Sequence, residues 1–175
     1  NIRYYCDSDL KRILNISVLI DNGLKISRIA GLSEREINQK ILELNSIQST
    51  GQGGQIESLV VAMIDMDEDK FDQVLNGSII SIGFEDTLFK VIYPLLNKIG
   101  VLWQIGTITP SHEHFMTNLI RQKLFAAIDN LAIERKPGSK SFLLVLPQWE
   151  LHDIGLLVYS YLIRKYGHKS IFLGQ

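Results

Sequence analysis

Ser141-Phe142-Leu143-Leu144-Val145-Leu146-Pro147 is an unbroken apolar run, and Gln148-Trp149-Glu150-Leu151-His152-Asp153-Ile154-Gly155 follows it directly. Leu156, Leu157, Tyr159, Ser160, Leu162 and Ile163 then recur at helical spacing as far as Gly167, and Ser170-Ile171-Phe172-Leu173-Gly174 is a second strand-like run. A strand that is apolar at every position is of the kind buried on both faces, which predicts a parallel sheet. Strand, helix and strand together form a βαβ unit, the opening of a doubly wound fold. Such sheets bind ligands beyond the C-terminal ends of their strands. His152 falls on that edge. Glu150, two residues earlier, can accept a hydrogen bond from one imidazole nitrogen while the other faces outward. Gly155 is expected to let the helix pack closely.

Upstream, residues 56–136 read as four amphipathic helices in an antiparallel bundle. Ile56, Leu59, Val60, Met63 and Ile64 give one face, and Phe71, Val74, Leu75, Ile79 and Ile82 a second. The third runs from about Phe84 to Trp103, with Pro94 inside it predicting a kink. Thr109-Pro110 starts the fourth, with Thr109 as cap and Phe115, Leu119, Ile120, Leu124, Ile128 and Leu131 facing the core. Trp103 and then His112, Glu113 and His114 gather near the junction of the last two helices. They are either an apolar lid with polar tips or a core Trp beside a surface pair. The acidic residues Asp65, Asp67, Glu68, Asp69 and Asp72 read as a solvated inter-helix turn.

The first 48 residues open with Arg3-Tyr4-Tyr5. Asp7 or Ser8 is then expected to cap a helix whose face carries Leu10, Ile13, Leu14, Ser17, Val18 and Ile20, with Gly23 ending it. A short helix follows at Ile26, Ile29 and Ala30. Ser33 and Glu36 then fit a capping box ahead of Ile37, Ile41, Leu42 and Leu44. These helices are too few to close a core alone, so a segment N-terminal to Asn1 is expected. Ser49-Thr50-Gly51-Gln52-Gly53-Gly54-Gln55 reads as a linker, and Pro137-Gly138 punctuates the passage into the first strand. The expected organisation is therefore 1–48, a 49–55 linker, 56–136 and 137–175.

Composition narrows the class. The chain has 175 residues, 46% hydrophobic and 21% charged, with a net charge of -1, which is globular rather than disordered and names no partner. That balance hides an acidic middle between neutral and basic flanks. Cys6 is the single cysteine, so no internal disulfide can form. No stretch approaches the roughly 18–20 apolar residues of a membrane span, and a cytoplasmic protein is expected. No hydrolytic triad, phosphate loop or zinc spacing is present, and His168 reads as a surface residue.

The order of these motifs resembles a known family. Arg3-Tyr4-Tyr5-Cys6-Asp7-Ser8-Asp9-Leu10, with Ile13, Leu19, Gly23, Ile26, Ile29 and Leu32-Ser33, resembles the wing and following helices of MerR-type winged helix-turn-helix regulators. Glu150-x-His152-x-x-Gly155 resembles the cobalamin-binding motif whose histidine replaces the cofactor's own base below cobalt, with Glu in place of the usual Asp. Trp103-x9-Glu113-His114 resembles the matching helical cap. In that order, the three resemble the cobalamin-dependent, light-responsive MerR-type repressors of carotenoid genes, and the likeness covers the whole chain.

The resemblance implies a fold that is mainly α with α/β: a MerR-like winged-helix remnant, a four-helix-bundle cap and the start of a Rossmann-like cobalamin domain. It implies that Arg3 and Tyr5 contact the backbone of double-stranded DNA; the alternative is that Arg3 solvates a β-edge and Tyr5 fills core. It implies adenosylcobalamin as cofactor. His152 is then the lower axial ligand and Glu150 its orienter, within a motif that Asp153 and Gly155 complete. Trp103 covers the upper face, Glu113 bonds the adenosyl group, and His114 takes the upper cobalt position after photolysis. Trp149 either lines the corrin edge or packs on the sheet. A homo-oligomer, dimer or tetramer, that represses in the dark and dissociates in light is implied, with no enzymatic activity. Two other readings are a corrinoid carrier or methyltransferase module, against which residues 1–48 argue, and a MerR-type regulator that has lost cobalamin.

Overall fold

In the computed structural model the described residues are 7–48, 53–132 and 137–175. The chain divides into two compact units, Asn1–Glu113 and His114–Gln175. The division falls inside one helix, after Glu113.

The first unit begins with α1 (Asp7–Asp21), α2 (Ile26–Ile29) and α3 (Glu34–Gln48). Local signals explain their ends. Gly23 adopts φ 89°, and Leu24 N–H reaches the Leu19 carbonyl at 3.0 Å, the closing bond of a Schellman cap. Ser33 and Glu36 form the expected capping box. Ser33 N–H donates to Glu36 Oε2 at 2.8 Å and Glu36 N–H to Ser33 Oγ at 3.3 Å.

Leu19, Ile29, Ile37 and Ile41 form the core of this part, each worth about 1.5–3 kcal/mol when fully buried. The buried face of α1 differs from the expected one: Ile13 is 51% exposed and Ile20 is also exposed, while Asn15 and Leu19 point inward. The partners turn the helix, because Asn15 pairs with Asn38 of α3. The expected cap at Asp7 or Ser8 and the side chains of Leu10, Leu14, Leu42 and Leu44 lie outside the described residues.

The rest of the unit holds α4 (Gly53–Ile64), α5 (Glu68–Ile82), α6 (Phe84–Thr87), a π-helical turn (Leu88–Ile92) and α7 (Tyr93–Gln104). α4 already includes Gly53, Gly54 and Gln55, three residues of the expected linker. Asp67 caps α5, its carboxylate accepting from Lys70 N–H at 2.9 Å. α4 packs on α5 and α7 through Leu59, Ala62, Met63, Phe71, Leu75, Leu95 and Ile99, while Ile64, expected inside, is exposed. Lys98 of α7 pairs with Glu57 of α4.

A π turn immediately precedes Pro94, the position at which a kink is expected. Pro94 has no N–H, and its ring opposes the carbonyl of Lys90. The chain widens just before it, and Tyr93 N–H bonds to the Leu88 carbonyl five residues back. Val101 and Ile105, at the end of α7, pack against the α1–α3 core and complete it.

α8 (Pro110–Asp129) carries the division between units; Met116, Leu119, Ile120 and Leu124 are buried along it. The second unit continues with β1 (Ser141–Val145), α9 (Ile154–Lys165) and β2 (Lys169–Gly174). β1 and β2 pair in parallel, Ser141 opposite Lys169 and Leu143 opposite Ile171, with an irregularity between Leu144 and Val145. The βαβ reading therefore holds. α9 covers one face: Ser160 Oγ lies 3.0 Å from Ser170 Oγ, and Arg164 Nε–H donates to Ser170 Oγ at 2.8 Å.

The expectation of burial on both faces is corrected. Leu143, Val145, Ile171 and Leu173 share the face opposite α9 and are exposed, since one crossover helix covers one face of a sheet. On α9 itself Leu157, Ser160 and Tyr161 are buried, whereas Tyr159 is exposed. His168 is more than a surface residue: its Nδ1 accepts from Lys140 N–H at 3.3 Å and its ring meets Phe142 at 5.8 Å, fastening the two strand starts together.

Candidate functional site

The segment after β1 leaves the sheet as a tight turn. Leu146 N–H still bonds to the Gly174 carbonyl at 2.6 Å, and Glu150 N–H then closes onto the Pro147 carbonyl at 3.1 Å. Trp149 occupies the third position of that turn with φ 73°, a left-handed conformation that costs an L-residue about 1–2 kcal/mol. Its side chain is 83% exposed, so it does not pack on the sheet. Leu151 is also exposed. Two large apolar groups therefore flank Glu150 at the C-terminal edge of the strand.

Glu150 grips His152 twice. Its Oε1 accepts from the His152 backbone N–H at 2.8 Å and lies 2.5 Å from His152 Nδ1. The backbone hydrogen bond from His152, and next the bond from its ring, hold the Glu150 carboxyl below its ordinary range. An ionised carboxylate only accepts, so Nδ1 carries the proton of this bond, and in the neutral imidazole the lone pair is then on Nε2. The His152 side chain is 90% exposed. The site thus presents one imidazole nitrogen, oriented from behind by a carboxylate, in the manner of a metal-ligating histidine.

Asp153 stands at the N-cap position of α9 but makes no side-chain cap. Its carboxylate instead meets Arg121 of α8, Nη2 to Oδ2 at 2.9 Å. Gly155, the second residue of α9, does not serve close packing as expected: a Cβ there would meet nothing within 4 Å. The space beside the helix start is open.

The remaining candidates lie elsewhere. Trp103 is the penultimate residue of α7 and is exposed; Glu113 lies in the first turn of α8 and is half-buried; His114 follows it and is exposed. Glu150, His152 and Asp153 are brought together in the second unit, while Trp103 and Glu113 belong to the first. Arg3 and Tyr5 lie outside the described residues.

Two side-chain roles were not anticipated from the sequence. His112 serves the start of α8, its Nδ1 accepting from Thr109 N–H at 3.1 Å in the place a capping-box Glu would take. A polar residue three after Thr109 was the available signal. Arg121 had none, because its partner lies 32 residues away.

Among the described residues no group of three or more His, Cys, Asp or Glu is placed to hold a metal ion. A group that carries its own metal donors, as a corrin does, would need a single imidazole from the protein. The oriented Nε2 and the open space at Gly155 fit such a group.

Comparison with known proteins gives the same direction. Residues 55–127, which comprise nearly all of α4 through α8, match the family model described as B12 binding domain. The chain is also similar to the HTH-type transcriptional repressor CarH of Myxococcus xanthus, at 25% identity over 183 residues, covering 99% of this chain and 58% of that protein. The chain thus spans little more than half the length of that relative. Both matches support the resemblance to a cobalamin-binding transcriptional regulator, and the mainly helical fold with a small parallel sheet agrees with it.

Proposed function

We propose that the chain is part of a DNA-binding transcriptional repressor whose sensor region binds cobalamin, with adenosylcobalamin as the functional form, and is not an enzyme. The observation that carries this reading is the Glu150–His152 clamp at the end of β1, which leaves a single oriented Nε2 exposed. The helices that match the B12 binding domain model and the similarity to a repressor named as HTH-type support it.

When bound, the cofactor supplies a light-cleavable cobalt–carbon bond. His152 would hold cobalt through Nε2, and Glu150 would keep the ring's proton on Nδ1 so that Nε2 is free to ligate. Trp103, Glu113 and His114 are the residues that would serve the adenosyl side of the bound cofactor, Trp103 as an apolar cover, Glu113 as a hydrogen-bonding group and His114 as an imidazole available to cobalt. Asp153 and Gly155 shape the start of α9 beside the ligand. Arg3 and Tyr5 contact DNA phosphates. A light-induced change at the bound cofactor would bias a two-state assembly, so light would dissociate a dark homo-oligomer and release DNA. The organisation into residues 1–48, 56–136 and 137–175, joined at 49–55, belongs to this proposal, as does a cytoplasmic location; no helix among the described residues is long and apolar enough to cross a membrane.

The test is the absorption spectrum of the protein after mixing with adenosylcobalamin and gel filtration. A co-eluting corrin spectrum that His152→Ala abolishes is expected. Particle mass by light scattering is expected to fall on illumination. Absence of bound corrin overturns the reading, and an unchanged mass overturns the light switch alone.

A further inference from the structure

We infer that Arg121 is a positioning residue, which holds the His152 loop in place from α8 through Asp153. The inference starts from an ion pair out of the ordinary run of surface contacts. Asp153 has a side chain only 14% exposed and does not cap the helix it begins, although an Asp at this position usually accepts a bond from the first turn. Its carboxylate is committed to the Arg121 guanidinium at 2.9 Å. The Arg121 side chain is 41% exposed, and its Nε is buried without a hydrogen-bond partner among the described residues.

An arginine whose Nε–H is left unpaired bears a desolvation cost that a capping Asp and a solvated Arg would both avoid. Stability alone therefore gives little reason for the pair. Geometry gives one. Asp153 immediately follows His152, and Asp153 N–H bonds to the Leu151 carbonyl at 3.0 Å, so its position fixes the backbone from which the imidazole projects. Glu150 orients the ring from one side; Arg121 anchors the main chain on the other. Arg121 also lies next to Ile120 and near Leu124, both buried, so the anchor stands on a fixed stretch of α8 rather than on a loop. The same helix carries His114, and a displacement of α8 is transmitted through this pair to the loop that holds His152.

Two measurements test the inference, and only the second rests on the cobalamin reading. In the cofactor-free protein, urea unfolding of R121M, D153N and the double variant forms a cycle. Non-additive effects are expected, and additive effects overturn the link. In the second, cobalamin affinity of R121M is expected to fall about 10–100-fold, the range for removal of a group that orients a metal ligand.

Electron paramagnetic resonance of bound cob(II)alamin in protein carrying isotope-labelled histidine reports whether His152 ligates cobalt. That signature is expected to weaken in R121M and to return in the reversed pair R121D/D153R. R121M with wild-type affinity and a full histidine signature overturns the positioning role. Failure of the wild-type protein to bind hydroxocobalamin overturns the cobalamin reading instead, and the unfolding cycle still decides whether Arg121 holds Asp153.

Discussion

Asn15 of α1 donates from Nδ2 to Asn38 Oδ1 of α3 at 3.3 Å, and Asn38 in turn donates to the backbone carbonyl of Ile105 at 3.5 Å. Three segments distant in sequence are joined by two amides. Asn15 is buried, and its own Oδ1 has no hydrogen-bond partner among the described residues, so the pair carries a polar cost inside an aliphatic cluster. Removal of one amide leaves the other stranded. Asn15→Ala or Asn38→Ala is expected to destabilise the protein by about 1–3 kcal/mol, and Asn15→Leu with Asn38→Leu to cost less than either single change. Urea unfolding of the three variants measures it; a double variant worse than both singles would show that the amides are favourable in themselves.

Ser33→Ala is expected to cost about 1 kcal/mol, the usual worth of a helix N-cap. Hydrogen bonds from the Ser33 side chain, and next from its backbone, hold the Glu36 carboxyl below the ordinary range. A carboxyl lowered on folding stabilises the protein above its unfolded value, and that contribution is lost as pH falls through the folded value. The NMR titration midpoint of Glu36 is therefore expected to rise toward the ordinary carboxylate value in Ser33→Ala. An unmoved midpoint would rule out the box as the cause.

Trp149→Gly removes the left-handed strain at φ 73°. The relief of about 1–2 kcal/mol exceeds the roughly 0.5–1 kcal/mol that glycine loses in entropy, so a net gain near 0.5–1 kcal/mol is expected. Trp149→Ala retains the strain and is expected to give no gain. A thermal melt in which the Gly variant is the less stable would mean that the exposed indole contributes to the fold.

Glu150→Gln keeps an acceptor oxygen but removes the charge that holds the proton on Nδ1. Cobalamin affinity is expected to fall about 10–100-fold, with Glu150→Asp falling less. Spectroscopic titration with hydroxocobalamin distinguishes these, and equal losses in both variants would assign the effect to geometry rather than charge.

What the sequence disclosed was local. The Schellman glycine Gly23, the Ser33–Glu36 box and the βαβ order each depend on residues close together along the chain, and each is where periodicity and cap chemistry put it. Faces set by distant partners were harder. Ile13 and Leu19 are equally apolar, and it is Leu19 that packs with Ile29, Ile37 and Ile41 of α2 and α3, partners that the period of α1 alone does not name. β1 looked doubly buried because apolar content does not say how many layers cover it. Of the site, the Glu150–His152 pair was legible from a two-residue spacing, whereas Arg121 was not, since no short-range pattern ties an arginine in α8 to an aspartate before α9.

The π turn at Leu88–Ile92 acts on everything after it. It contains one residue more than an α-helical turn would, and one residue corresponds to about 100° of rotation about a helix axis. If the same residues ran as ordinary α-helix, without the wide turn that absorbs the extra residue, the azimuth of every later side chain in α7 would swing by that angle. Val101 would leave the α1–α3 core and Trp103 would face a new direction. The aim of Trp103 is thus set by a wide turn more than ten residues upstream, and insertions or deletions in α7 between that turn and Trp103 act on it as a dial.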